Sequence, residues 1–178
     1  SEMCIRDRYK ENGFKKKEDA ERLIAELTAE PAGPVTVTGI EKKKENKNAP
    51  LLYNLAELQN DCSKYFKISP DETLRIVQEL YEKKMTTYPR TDARVLSTAV
   101  AKEIQKNIGG LRSYALATPF AKEVLEQGTY KNIAKTRYVN DKQITDHYAI
   151  IPTGQGLNNL AGLAPTAAKV YEVIVRRF

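Results

Sequence analysis

Two short stretches hold the residue types best suited to chemistry. In the first, Thr86-Thr87-Tyr88-Pro89-Arg90-Thr91-Asp92, a tyrosine sits one residue before a proline and two before an arginine. Side chains i and i+2 of an extended segment share a face, so Tyr88 and Arg90 are expected to point the same way. A free phenol has a pKa near 10, so only about one in a thousand is ionised at neutral pH. A guanidinium fixed beside it would favour the phenolate and could hold a phosphate through two hydrogen bonds. That pairing suits nucleophilic attack on a phosphodiester. Taken alone, Tyr-x-Arg is also what strand propensity and a surface charge produce.

The second stretch, Thr145-Asp146-His147-Tyr148-Ala149-Ile150-Ile151-Pro152-Thr153, carries the one histidine of the chain. Protonated, His147 could donate to a phosphate oxygen or protonate a leaving hydroxyl. Beside Ala149-Ile150-Ile151 it could equally be a core histidine with its hydrogen bonds satisfied. Cys4 and Cys62 have no metal-ligand spacing. One histidine and no CxxC exclude a familiar zinc module, and Cys62 falls on an apolar helical stripe and reads as core.

These stretches must be held by helices. Ala20, Leu23, Ile24 and Leu27 have helical spacing, and residues 34–40 alternate as a strand. Leu52, Leu55, Leu58, Cys62, Tyr65 and Phe66 form one apolar helical face. Ser69-Pro70-Asp71-Glu72 is a helix start with a capping box, and Leu74, Val77, Leu80 and Tyr81 carry the inward stripe behind it. That helix is expected to end near Lys83-Lys84, delivering the chain into an extended segment over residues 85–92 fixed by Pro89. Ser97 caps another helix, with Val100, Ala101, Ile104 and Ile108 inward and Gly109-Gly110 as the stop. Thr118-Pro119 opens a helix ending at Gly128, and residues 129–153 read as loop and short strands. Pro165 opens the last helix, with Val170, Tyr171, Ile174 and Val175 inward.

With 41% apolar and 29% charged residues over 178 positions, the composition is that of a globular chain, neither disordered nor membrane-embedded. No apolar run approaches the roughly 20 residues that span a bilayer, and the N-terminus is too charged for a signal peptide, so a cytoplasmic location is expected. A net charge of +6 suits a polyanionic partner.

Together the segments are more specific than either alone. "APLLYNLAELQ", "ISPDETLRIVQELYEKKMTTYPRTD", "TRYVNDKQITDHYAIIPT" and "KVYEVIVRRF" follow in order. This set resembles the active-site region of type IA DNA topoisomerases, the topoisomerase III branch in particular, over residues 15–178. The resemblance implies a mainly helical α+β fold, with a winged-helix-like tyrosine domain over residues 49–160. It further implies a partial gate domain over 9–48 and a return into that domain over 161–178; residues 1–8 read as a leader foreign to the rest. It makes Tyr88 the nucleophile that forms a 5′-phosphotyrosine link, Arg90 the scissile-phosphate ligand and His147 a phosphate or transition-state contact. Single-stranded DNA is the implied partner, and Gln59, Arg75, Gln78, Arg137 and Lys142 are the candidates for lining its groove, with Tyr138 placed to stack on a base. No ATP is needed. Mg2+ would be held by an N-terminal domain that this chain lacks, and the isolated fragment is expected to be inactive. The sole histidine follows Tyr88, which argues against a tyrosine recombinase, and a single histidine cannot supply the metal site of a rolling-circle nickase. The remaining alternative is a winged-helix module that binds nucleic acid without catalysis.

Overall fold

Three polar side chains set where the principal helices begin. Asn54 accepts from the Glu57 amide at 2.8 Å, Ser69 from Glu72 at 3.1 Å and Ser97 from Val100 at 3.1 Å. Each satisfies an amide that a helix start leaves free. The structure, a computed structural model, describes residues 16–29, 39–42 and 45–178. The chain divides into two units, Ser1–Lys47 and Asn48–Phe178.

In the first unit, α1 (Lys17–Thr28) is the one described helix, and none of its residues is buried. The helical spacing of Ala20, Leu23, Ile24 and Leu27 falls on this helix, where Ile24 and Leu27 are exposed. The strand expected over 34–40 lies largely outside the described residues, and its described end, Gly39-Ile40, has no regular structure.

The second unit holds α2 (Leu55–Phe66), α3 (Pro70–Glu82), α4 (Thr98–Leu111), α5 (Thr118–Gln127) and α6 (Pro165–Arg177), with short 3-10 turns between α5 and α6. It is mainly helical. Its β content among the described residues is three isolated bridges: Tyr53 with Ile150, Thr86 with Pro152 and Leu96 with Val139. One core joins α2, α3 and α6 through Leu58, Cys62, Val77, Leu80, Val170, Tyr171 and Ile174, while α4 packs on α5. Residues 161–178, assigned from sequence to a gate domain, thus bury their apolar face in the same core as α3. Burial pushes the Cys62 thiol up to about 11 from 9.0, so it is packed as a small apolar group. No helix among the described residues is long and apolar enough to cross a membrane.

Four sequence expectations shift in register. Leu52 is buried but precedes α2, because the Asn54 cap fixes the start at Leu55. Tyr65 is exposed on the last turn of α2. On α3 the buried stripe is Thr73, Ile76, Val77 and Leu80, with Leu74 at its margin and Tyr81 exposed. Thr73 can enter the core because its hydroxyl donates to the Ser69 carbonyl at 3.0 Å, so no polar group is stranded. The helix is therefore rotated toward Thr73, which leaves Tyr81 free. Finally, α4 runs through Gly109-Gly110 to Leu111. A Cβ on Gly110 would overlap the carbonyl of Gly154, so this glycine permits a close backbone approach instead of ending the helix.

Candidate active site

The two chemically promising stretches lie side by side, antiparallel. The Thr87 amide donates to the Ile151 carbonyl at 3.0 Å, and the Thr153 amide to the Met85 carbonyl at 3.0 Å. Between them Thr86 faces Pro152, which has no N–H to give, so a regular ladder cannot form there. Threonine hydroxyls supply the missing bonds. Thr87 Oγ1 donates to the Ala149 carbonyl at 3.0 Å and accepts from the Ile151 amide at 2.9 Å. Thr91 Oγ1 donates to the His147 carbonyl at 3.1 Å and accepts from the Ala93 amide at 3.1 Å. The threonines that flank Tyr88-Pro89-Arg90 therefore fix the histidine segment against the tyrosine segment.

The consequence is a ring contact. The half-buried Tyr88 ring lies 4.3 Å, centroid to centroid, from the exposed His147 imidazole at an interplanar angle of 39°. Tyr81 also meets it edge-on at 5.4 Å. An open cleft of about 560 Å³ surrounds these rings, lined also by Glu82, Lys84, Thr87, Tyr148, Thr153 and Gln155. The Thr86 hydroxyl borders this cleft yet is buried, and it finds no hydrogen-bond partner among the described residues.

Arg90 is not among the lining residues, and it is exposed. The Thr91 amide donates to the Pro89 carbonyl at 3.0 Å, a three-residue turn centred on Arg90. That turn departs, at Arg90, from the extended geometry on which the shared face of Tyr88 and Arg90 was expected. The other sequence candidates also lie outside the lining. Gln59 donates to the Pro70 carbonyl at 3.0 Å, and Arg75 lies 4.0 Å from Glu72. Gln78, one turn before Glu82, donates to its carboxylate at 3.3 Å. Arg137 and Lys142 are exposed beyond α5, and Tyr138 is half-buried with its hydroxyl on the Ala49 carbonyl at 3.1 Å. Next to Lys142, Asp141 accepts from the Thr98 hydroxyl and amide at 2.6 and 2.8 Å, which holds its carboxyl below the usual range.

Sequence reasoning missed Tyr81, Glu82, Lys84, Tyr148 and Gln155 as cleft residues. The available signal was their position, within seven residues of Tyr88 or eight of His147. Among the described residues no cluster of three His, Cys, Asp or Glu is arranged to hold a metal ion. The cleft carries a single carboxylate, Glu82, so its side chains alone do not supply the octahedral oxygen shell of a magnesium ion, which water or phosphate would have to complete.

Comparison with known proteins decides what this arrangement belongs to. A family profile described as DNA topoisomerase matches residues 2–178. The chain belongs to the DNA topoisomerase family. It is 37% identical over 165 residues to a protein named DNA topoisomerase 3 from Bacillus cereus, covering 91% of this chain and 21% of that protein. A DNA topoisomerase 3 of Bacillus licheniformis is 36% identical over 170 residues, covering 92% and 23%. One from Bacillus subtilis is 37% identical over 158 residues, covering 88% and 21%. The chain thus spans about a fifth of the length of these topoisomerases, and the likeness is to the topoisomerase III branch that its ordered motifs resemble.

Proposed function

We propose that this chain is the tyrosine-bearing part of a type IA DNA topoisomerase, with Tyr88 as the nucleophile toward one strand of DNA. The Tyr88 phenol attacks a backbone phosphorus, the bond from phosphorus to the 3′-oxygen breaks, and the 5′-phosphate remains on the tyrosine. The phenol proton is lost as the new bond forms, and the departing 3′-oxygen takes a proton to become a hydroxyl. Religation is the reverse, with the 3′-hydroxyl attacking and the phenol leaving. One phosphoester replaces another, so no ATP is consumed.

His147 is the group best placed to exchange a proton with the leaving oxygen or to donate to a phosphate oxygen. The observation that carries this reading is its ring contact with Tyr88, held by hydroxyl bonds from Thr87 and Thr91. Arg90, exposed on its turn, is assigned to the scissile phosphate of a strand lying along the cleft. Gln59, Arg75, Gln78, Arg137 and Lys142 are proposed contacts along the strand outside it. Magnesium, on this reading, is held by a part of the longer protein outside this chain; no step here is routed through it, and the chain alone is inactive.

The test is covalent capture. The full-length gene product is incubated with a single-stranded oligonucleotide and magnesium, then denatured. A protein–DNA species is expected, absent in Tyr88→Phe, and reduced more than binding is reduced in Arg90→Ala and His147→Ala. An adduct that survives Tyr88→Phe removes the nucleophile assignment. No adduct in either protein, with binding retained, leaves a nucleic-acid-binding module without catalysis.

A further inference from the structure

The helix that feeds into the tyrosine segment ends on a strained residue. Lys84 has φ 60, the left-handed conformation, in which a Cβ crowds the following carbonyl. Its amide donates to the Tyr81 carbonyl at 2.8 Å, and the Met85 amide donates to the Leu80 carbonyl at 2.9 Å. These two bonds make a Schellman ending, whose left-handed position is ordinarily glycine. Lys67, at the end of α2, has φ 58, so the conformation alone signifies nothing. What separates Lys84 is the clamp around it and the place it faces.

Strain of this kind persists where the surroundings over-determine it. Here three successive carbonyls are gripped from the segment after Pro152. Lys83 O accepts from Asn159 Nδ2 at 3.5 Å, Lys84 O from the Thr153 hydroxyl, and Met85 O from the Thr153 amide at 3.0 Å. Gly156, at φ 69, presses on the same turn so closely that a Cβ there would overlap Lys83 O. The clamp fixes Lys84 as an exposed residue lining the Tyr88 cleft. Its neighbour Lys83 pairs with Glu79 at 2.7 Å, whereas Lys84 has no ion-pair partner among the described residues. Because Arg90 lies outside the lining, Lys84 is the cation that the cleft itself presents to a ligand.

We propose that Lys84 is the phosphate-gripping cation of this cleft, its ammonium held against a backbone phosphate of a single DNA strand beside Tyr88. The proposal rests on the reading of the cleft as a strand-cleaving site. An ammonium is a compact point charge with three donors, suited to positioning a phosphate without reading sequence. Each phosphate neutralised on a single strand adds about 0.7 to the slope of log K against log salt.

The experiment compares the 178-residue chain with Lys84→Gly and Lys84→Arg. Anisotropy of a fluorescein-labelled oligothymidine gives the salt slope, and thermal melting gives stability. Lys84→Gly is expected to flatten the slope by about 0.7 and yet to melt higher by roughly 2–4 °C, because glycine relieves the strained turn. Lys84→Arg is expected to keep the wild-type slope. A lysine that merely faces solvent would leave the slope unchanged on removal, and that result overturns the assignment while leaving the strand-binding reading intact. A fall in melting temperature for Lys84→Gly overturns the strain argument. Absence of oligonucleotide binding by the wild-type chain at every salt concentration would sink the underlying reading as well.

Discussion

Thr86 and Thr91, on either side of the Tyr88-Pro89-Arg90 stretch, behave in opposite ways. Thr91 is buried with its hydroxyl both donating to His147 O and accepting from Ala93 N. Thr86 is also buried, and its hydroxyl finds no partner among the described residues. Valine has nearly the same shape as threonine, so the same substitution should change stability with opposite sign at the two sites. Thr91→Val leaves the buried Ala93 amide and the part-buried His147 carbonyl without this partner and is expected to destabilise by about 1–3 kcal/mol. Thr86→Val removes an orphaned hydroxyl and is expected to stabilise by about 1 kcal/mol. Urea denaturation midpoints read both, and shifts in the same direction would contradict the hydrogen-bond assignments. His147 could be singled out because it is the one histidine of the chain, and Tyr88, one of ten tyrosines, because a proline and an arginine follow it. Threonines were not legible in the same way, since a hydroxyl that ties two strands is spelled like one that faces water.

At the scale of elements, the cleft depends on how closely α4 approaches the segment after Pro152. Gly110 and Gly154 meet backbone to backbone, and Asn107 Nδ2 donates to the Pro152 carbonyl at 2.9 Å. The same segment also clamps the turn at Lys84, through Thr153, Gly156 and Asn159. Gly110→Ala must therefore push the clamp outward, with an expected cost of about 2–3 kcal/mol. At Gly109 an added Cβ would meet nothing within 4 Å, so conversion to alanine within the helix should instead stabilise by about 0.5–1 kcal/mol. Equal effects at the two glycines, measured by urea denaturation, would rule out the close approach as the reason for Gly110. The starts of α3 to α6 were legible because Ser and Pro have local causes: a side-chain oxygen for a free amide, or a preset φ. The Asn54 cap of α2 went unread, and Leu52 was placed on that helix. The double glycine misled because its cause is a contact with Gly154, far along the chain. Tyr81 was misplaced for a related reason: periodicity finds an apolar sector but cannot see that a self-satisfied Thr73 widens it on the other side.

Across the whole Asn48–Phe178 unit, the last turn of α6 is bonded to the segment before α2 and to α2 itself. Arg177 donates to the Leu51 carbonyl at 3.1 Å and to Asp61 at 2.9 Å, and its guanidinium carbon stands 4.0 Å from the centre of the Tyr53 ring. Tyr53 donates its hydroxyl to the same Asp61 carboxylate at 2.6 Å, and burial raises its phenol above the ordinary value. The Arg177 and Asp61 side chains keep only 15% and 13% of their exposure, so solvent screens this pair far less than it screens the surface pairs on α1. The Tyr53 carbonyl in turn accepts from the Ile150 amide at 2.8 Å, three residues from His147. The histidine segment thus rests on an edge that α6 holds in place. Arg177→Met would leave a largely buried carboxylate with the Tyr53 hydroxyl as its remaining partner, at an expected cost of about 3 kcal/mol. Asp61→Asn leaves the guanidinium without a counter-charge. It should still cost less than that, because the amide oxygen can accept a hydrogen bond and Arg177 keeps Leu51 O and the Tyr53 hydroxyl as acceptors. The double variant should be less destabilised than the two single losses added together, by a coupling of roughly 1–2 kcal/mol. Strict additivity in urea denaturation would mean that the guanidinium stabilises the unit through its stacking on Tyr53 and its bond to Leu51, with the ion pair contributing nothing of its own.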